Sequence, residues 1–181
     1  YWDLRNYYDL REFSNKKFLS FPRPRILAVN NKNDYFEFIK SGYPISDINL
    51  VEGLRHLYLR KNLIENFNFP KIKDSLIVLG DYENTNTQSQ LSVLNKLPKN
   101  ILNNLKIIYK PHPASSLNLE NFESLSMEIR EEPLSTLLPL ADIAFCSSTT
   151  SSCLDAFSYG LKVIIYNDPN ILNLSPLRNF K

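Results

Sequence analysis

Between Ser75 and Tyr166 the chain repeats one device: a short apolar run that does not alternate with polar residues, then a few polar residues, then a stretch with helical spacing. The runs are SLIVLG (75–80), KIIY (106–109), DIAFC (142–146) and KVIIY (162–166), with a weaker SMEIRE (126–131). A strand with one wet face alternates, whereas a strand buried on both faces does not. Uninterrupted Ile and Val therefore point to a parallel sheet covered by helices on each side. Thr87 and Gln90 have the spacing of a capping box ahead of Leu91, Leu94 and Leu97, with Pro98 as the stop. Leu134, Leu137, Leu138 and Ala141 space as a helical face, and Leu154 and Phe157 lie on one side of a helix that Gly160 ends. This order predicts an α/β fold, a doubly wound Rossmann-like parallel sheet with helices on both faces.

The first seventy residues are less regular. YWDLRNYYDLREF reads as an aromatic helix, FPRPR as a linker or edge, and RILAVNN (25–31) as one more buried strand. A helix near DYFEFIK and a break at Gly42, Tyr43 and Pro44 come next, then DINLVEGLRHLYL (47–59) and a connection over 60–73. Two domains are expected, a partial one over 1–70 and a Rossmann-like one over 71–181. The opening Tyr1, in place of Met, reads as an excised piece of a longer protein.

Composition narrows the setting. The chain is 43% hydrophobic and 22% charged, as water-soluble globular proteins are, and no apolar run approaches the roughly 20 residues of a membrane helix. The formal charge of +2 conceals an asymmetry: residues 1–73 hold 13 Lys and Arg against 8 Asp and Glu, and 74–181 hold 8 against 11. A mild basic surplus suits an anionic substrate, a membrane face or a solvated surface. Cys146 and Cys153 match neither a CxxC pair nor a zinc ligand set, which predicts a reducing, cytoplasmic setting. The near-neutral balance predicts no nucleic-acid partner, with Trp2, Tyr7 and Tyr8 packing on a neighbouring element and His56 structural.

In an open parallel sheet, ligands bind beyond the carboxyl ends of the strands, where loops diverge and helix N-termini point into the gap. The residues placed there are Gly80 and Asp81; Lys110, His112 and Pro113; Glu131 and Glu132; Ser147, Ser148, Thr149 and Thr150; and Asn167 and Asp168. CSSTTSS joins a strand to a helix, so free amides and several hydroxyls suit a phosphate; equally, Ser and Thr cap helices well. His112, in KIIYKPHPASS, has two readings. It donates to the same phosphate and, with Lys110, offsets charge on a departing leaving group, or it is a polar residue at an exposed turn.

KPHP (110–113) followed by ADIAFCSSTTSSCLDAFSYGLKVI (141–164) resembles the nucleotide-binding half of GT-B glycosyltransferases, and within them the bacterial capsule sialyltransferases with His-Pro and Ser-Ser motifs. GYPISDINLVEGLRHLYL (42–59) is similar to the segment that ends the acceptor domain and crosses to the donor domain. The likeness spans roughly residues 25–170. It implies that His112, Ser147 and Ser148 contact the phosphate of a nucleotide sugar, with His112 catalytic; by their placement at the strand ends, Gly80, Lys110, Pro113, Glu132, Thr149 and Thr150 are expected to complete the site. DAFSYGLKVI (155–164) is similar to a wider GT-B pattern whose acid holds the ribose hydroxyls, here Asp155; Asp stands in place of Glu, and Lys162 in place of the usual Pro. The implied reaction is transfer of a sugar, CMP-linked by preference, to a glycan or lipid-linked acceptor in surface polysaccharide biosynthesis. It would run at the inner face of the membrane, with the general base in a half of the protein outside this chain and the fragment alone inactive. No Asp-x-Asp motif is present, so no metal or other cofactor is expected. The alternatives are a CDP-glycerol-type glycerophosphotransferase, a sugar-nucleotide 2-epimerase, and a non-catalytic nucleotide-binding module.

Overall fold

The computed structural model describes residues 24–40, 42–54, 57 and 74–178. The aromatic start with Trp2, Tyr7 and Tyr8, the connection over 60–73 and His56 lie outside them. The chain divides into two compact units, Tyr1–Leu57 and Tyr58–Lys181, against an expected boundary after residue 70.

In the first unit, β1 (Leu27–Val29) leads through α1 (Lys32–Lys40) to β2 (Ile48–Leu50), and the two strands pair in parallel with Leu27 opposite Ile48. The Asn31 side chain caps α1 by accepting the Asp34 amide at 2.7 Å. Gly42, at φ 87°, ends the helix as the Tyr43 amide bonds back to the Phe38 carbonyl at 3.0 Å. Val29, Phe38, Tyr43 and Ile48 form its small core. The strand β2 was not separable in the sequence: it has three residues, of which only Ile48 is buried.

The second unit is built on five parallel strands: β3 (Ser75–Leu79), β4 (Lys106–Lys110), β5 (Met127–Ile129), β6 (Ile143–Ser147) and β7 (Lys162–Tyr166). The spatial order is β5-β4-β3-β6-β7, the Rossmann-like arrangement expected from the order of elements. Between the strands lie α2 (Asn84–Asn95), α3 (Lys99–Leu102), α4 (Leu134–Leu137) and α5 (Ser152–Tyr159).

Alternate residues of the central strands feed two separate cores, which explains the non-alternating runs. Leu76, Val78, Ile107, Tyr109 and Phe145 pack with Leu91 and Leu94 of α2. Ile77, Leu79, Ile108, Ala144 and Cys146 pack on the other face with Leu137, Cys153 and Ala156 from α4 and α5. The outer strands β5 and β7 are only partly covered, as edges are.

Two local expectations need correction. Thr87 and Gln90 do not cap a helix; α2 starts after Glu83, and both are fully buried within it. In α5 the inward face is Cys153, Asp155 and Ala156, not Leu154 and Phe157, and Phe157 is exposed. Gly160 does end α5 in the left-handed conformation, with φ 94°. No helix among the described residues is long and apolar enough to cross a membrane.

Candidate functional site

The chain leaves β3 toward β4 and β5, and returns through β6 toward β7, so the direction of winding reverses between β3 and β6. The carboxyl end of the sheet at this reversal is the position that binds ligands in sheets of this kind. Three segments meet there: residues 80–86 after β3, 111–116 after β4, and 148–151 after β6.

The β3 segment lies between the other two and is tied to both. On the β4 side, the Gly80 amide donates to the Lys110 carbonyl at 2.9 Å. The Ser115 hydroxyl donates to Asn84 Oδ1 at 2.7 Å, and the rings of Tyr82 and His112 meet edge to face with centroids 5.7 Å apart. Gly80 is required by this approach. A Cβ there would stand 3.1 Å from both the His112 amide nitrogen and the Lys110 carbonyl oxygen, and 3.2 Å from the Tyr109 hydroxyl. Gly80→Ala is expected to destabilise the unit by about 1–3 kcal/mol and to shift the His112 loop, measurable as a lowered Tm together with altered amide shifts at 110–116.

On the β6 side the link is Asp81, whose side chain is buried together with Ser147, Ser148 and Asn86. Its carboxylate accepts the hydroxyl protons of both Ser147 and Thr149 through short hydrogen bonds, and the Glu83 amide at 3.0 Å. Thr149 Oγ1 in turn accepts from Asn86 Nδ2 at 3.0 Å, while Thr87 Oγ1 accepts the Asp81 amide at 2.9 Å. The buried polar face of α2 thus serves the site. Ser148 is 3% exposed, and its hydroxyl forms no hydrogen bond among the described residues. Thr150 Oγ1 accepts the Ser152 amide at 3.4 Å and so opens α5.

His112 sits on the β4 loop, and its Nδ1 accepts the Ala114 amide at 3.2 Å. With that nitrogen acting as acceptor, the proton of the neutral ring belongs on Nε2, which is left as a donor. A cleft of about 490 Å³ adjoins it, lined by Tyr109, Lys110, His112, Pro113, Ser115 and Glu131 among others. Lys110 Nζ donates to the carbonyls of Glu131 at 3.0 Å and Pro111 at 3.4 Å, bridging the loops after β4 and β5. The Tyr109 hydroxyl is buried and without a hydrogen-bond partner among the described residues. Burial pushes its phenol pKa up, partly offset by the nearby Ser115 hydroxyl, which does not reach hydrogen-bond geometry with it.

The expected site residues separate into groups. Lys110, His112 and Pro113 line the cleft, with Gly80 against the backbone of Lys110 and His112, and Ser147, Ser148, Thr149 and Thr150 lie at the turn after β6. The two groups stand on strands either side of β3, roughly 10 Å apart at the sheet, with Asp81 and Tyr82 between them. Asp155 is 5% exposed in the first turn of α5, not an exposed helix acid. Glu132 is on the surface, paired with Arg130 at 2.6 Å, and that guanidinium holds its carboxyl below the usual range. Asp168 accepts the Asn170 amide at 2.8 Å in a turn after β7. Tyr82, Asn84, Asn86 and Ser115 were missed. Their signal was the unusual polar density of GDYENTNT (80–87), directly after the most apolar strand. Among the described residues no group of three or more His, Cys, Asp or Glu is placed to hold a metal ion.

Strand order defines the class, a Rossmann-like α/β unit, with a cluster of polar side chains at its switch point. In comparisons with known proteins, no family model, no curated protein and no solved structure matches this chain.

Proposed function

We propose that the second unit is the nucleotide-sugar-binding half of a GT-B glycosyltransferase of surface polysaccharide biosynthesis, with a CMP-linked sugar as donor and a glycan or lipid-linked acceptor. What supports this reading is the placement of a histidine with Nε2 as donor and a hydroxyl-rich turn at the carboxyl ends of β4 and β6, the two strands that flank β3, with a cleft lined by Lys110 and His112 on the β4 side. The likeness of KPHP and the Ser-Ser turn to the capsule sialyltransferases supplies the donor class. In the reaction, an acceptor hydroxyl attacks the anomeric carbon, the bond from that carbon to the phosphate oxygen breaks, and the nucleotide leaves with the electron pair. His112 Nε2–H donates to the phosphate as its charge grows, and the Ser148 hydroxyl and the amides of the turn hold it in place. The likeness of 155–164 to the wider GT-B pattern assigns the ribose hydroxyls to Asp155, which is buried in the first turn of α5. The general base belongs to the other half of the protein, and the basic surplus of residues 1–73 suits action at the inner membrane face.

A thermal-shift screen of the full-length protein with CMP, CDP, UDP, GDP and their sugar conjugates tests this reading, because a ligand bound to the native state alone raises Tm. The largest rise is expected with CMP compounds. A preference for CDP would point to glycerophosphate transfer, binding without turnover to a non-catalytic module, and no shift with any nucleotide removes the proposal. Asp155→Asn is expected to weaken CMP roughly tenfold, through loss of a charged hydrogen-bond acceptor, while leaving inorganic phosphate unaffected. Equal losses for both would take the ribose role away from Asp155.

A further inference from the structure

The segment after β3 divides its contacts between its neighbours. Gly80, Tyr82 and Asn84 meet the loop after β4: the Gly80 amide donates to the Lys110 carbonyl, the Tyr82 ring packs on the His112 ring, and Asn84 Oδ1 accepts the Ser115 hydroxyl. Asp81 and Asn86 meet the turn after β6, through Ser147 and Thr149. The backbone on either side of Tyr82 is pinned, since the Asp81 amide donates to Thr87 Oγ1 at 2.9 Å and the Glu83 amide to Asp81 Oδ1 at 3.0 Å. The Tyr82 side chain is 64% exposed and belongs to neither core. A tyrosine so placed adds little to the stability of the fold; what it touches is the imidazole.

That imidazole is held from two directions. Within its own loop, Nδ1 accepts the Ala114 amide at 3.2 Å, and the Ser115 amide closes a turn on the His112 carbonyl at 2.8 Å. From outside the loop, the Tyr82 ring stands at 87° to it with centroids 5.7 Å apart, the edge-to-face arrangement that aromatic pairs prefer. The bond to Ala114 lies at the surface, where water competes for both partners. Without a second contact the ring can turn about Cβ–Cγ, which exchanges Nδ1 for a carbon and carries Nε2 to a new position. We infer that Tyr82 is a positioning residue: its ring holds the His112 imidazole in the orientation that keeps Nδ1 on the Ala114 amide and leaves Nε2 as the donor. The inference rests on the role given to His112 above and deepens it, because a proton donor loses much of its effect when it is displaced by as little as about 1 Å.

Nitrogen NMR of the full-length protein, isotopically labelled at histidine, tests the assignment alongside sugar-transfer kinetics. In alkaline buffer an imidazole is neutral, and the His112 signals are identified by their loss in His112→Gln. Wild type is expected to show Nδ1 and Nε2 well separated in shift, as a single tautomer requires. Tyr82→Leu keeps apolar bulk but removes the aromatic ring. Its two signals should move toward one another as the tautomers mix, and kcat should fall about three- to tenfold, the scale of one lost aromatic pair. KM for the nucleotide sugar should stay within about twofold, and Tm should change by no more than about 2 °C, as for an exposed side chain. Tyr82→Phe should restore the separation and most of the activity, because the contact is made by the ring. Wild-type signals in Tyr82→Leu overturn the positioning role, and so do mixed tautomers with kcat unchanged. Mixed tautomers in Tyr82→Leu, beside a wild type that turns over no nucleotide sugar, would leave the ring's orientation assigned to Tyr82 and remove the glycosyltransferase reading.

Discussion

Replacing His112 with Ala in the full-length protein is expected to lower kcat for sugar transfer by roughly 10²–10⁴-fold, the range for loss of a positioned proton donor. Its Tm should fall by a few degrees at most. The small stability cost follows from what the side chain touches. His112 lies in a loop, and its contacts are the edge of Tyr82, itself 64% exposed, and the Ala114 amide. No core residue depends on it: the buried side chains of β4 are Ile107, Ile108 and Tyr109, which face the two helical layers. A nucleotide-release assay and a melting curve on the same preparation decide the matter. A large drop in Tm with turnover intact would return His112 to the role of a polar residue at a turn.

The second large effect belongs to the sheet. Ile77 is 0% exposed at the middle of β3, paired with Ile108 of β4 on one side and Ala144 of β6 on the other. Its side chain enters the core shared with Leu137, Cys153 and Ala156. Truncation to Ala removes three carbons from a layer bounded by backbone on one side and helices on the other, which can collapse only partly. A loss of about 2–5 kcal/mol is expected, with Tm lower by roughly 8 °C or more. Chemical denaturation should show a lower midpoint at unchanged slope. A change below about 1 kcal/mol would mean that β3 is not the centre of a two-sided sheet.

The same two-sidedness explains which parts of the fold were legible. SLIVL, KIIYK and IAFCS lack alternation because each side chain has a hydrophobic destination, whichever face it points to. The edge strand β5 was readable only weakly, since its side chains are partly exposed and its sequence carries Glu128, which pairs with Lys106 and Arg130 on the surface. The helix ends marked by Gly42 and Gly160 were legible because a left-handed residue is a local requirement that glycine meets at least cost. The buried side of α2 was not. Asn86, Thr87, Gln90, Leu91 and Leu94 follow helical spacing as one set, but a reading that counts only leucines as core sees a cap where the structure has an inward polar face.

For the site, the residue types were evident but not their pairing. His112, Lys110 and the Ser and Thr of 147–150 could be assigned to strand ends from chain order alone, since a polar cluster after a buried strand has to emerge at its carboxyl end. Placing His112 and the Ser147 turn on either side of β3, with Asp81 between, needed the spatial order β5-β4-β3-β6-β7. Local sequence determines where a strand ends and which side chains surface there, because burial and backbone geometry act over a few residues. Which surfaced side chains share a hydrogen bond is decided by strand order. The contacts of Asp81 with Ser147 and Thr149 span 66 and 68 residues, and only packing of the whole sheet brings a carboxylate and two hydroxyls so far apart in the chain to the same buried point.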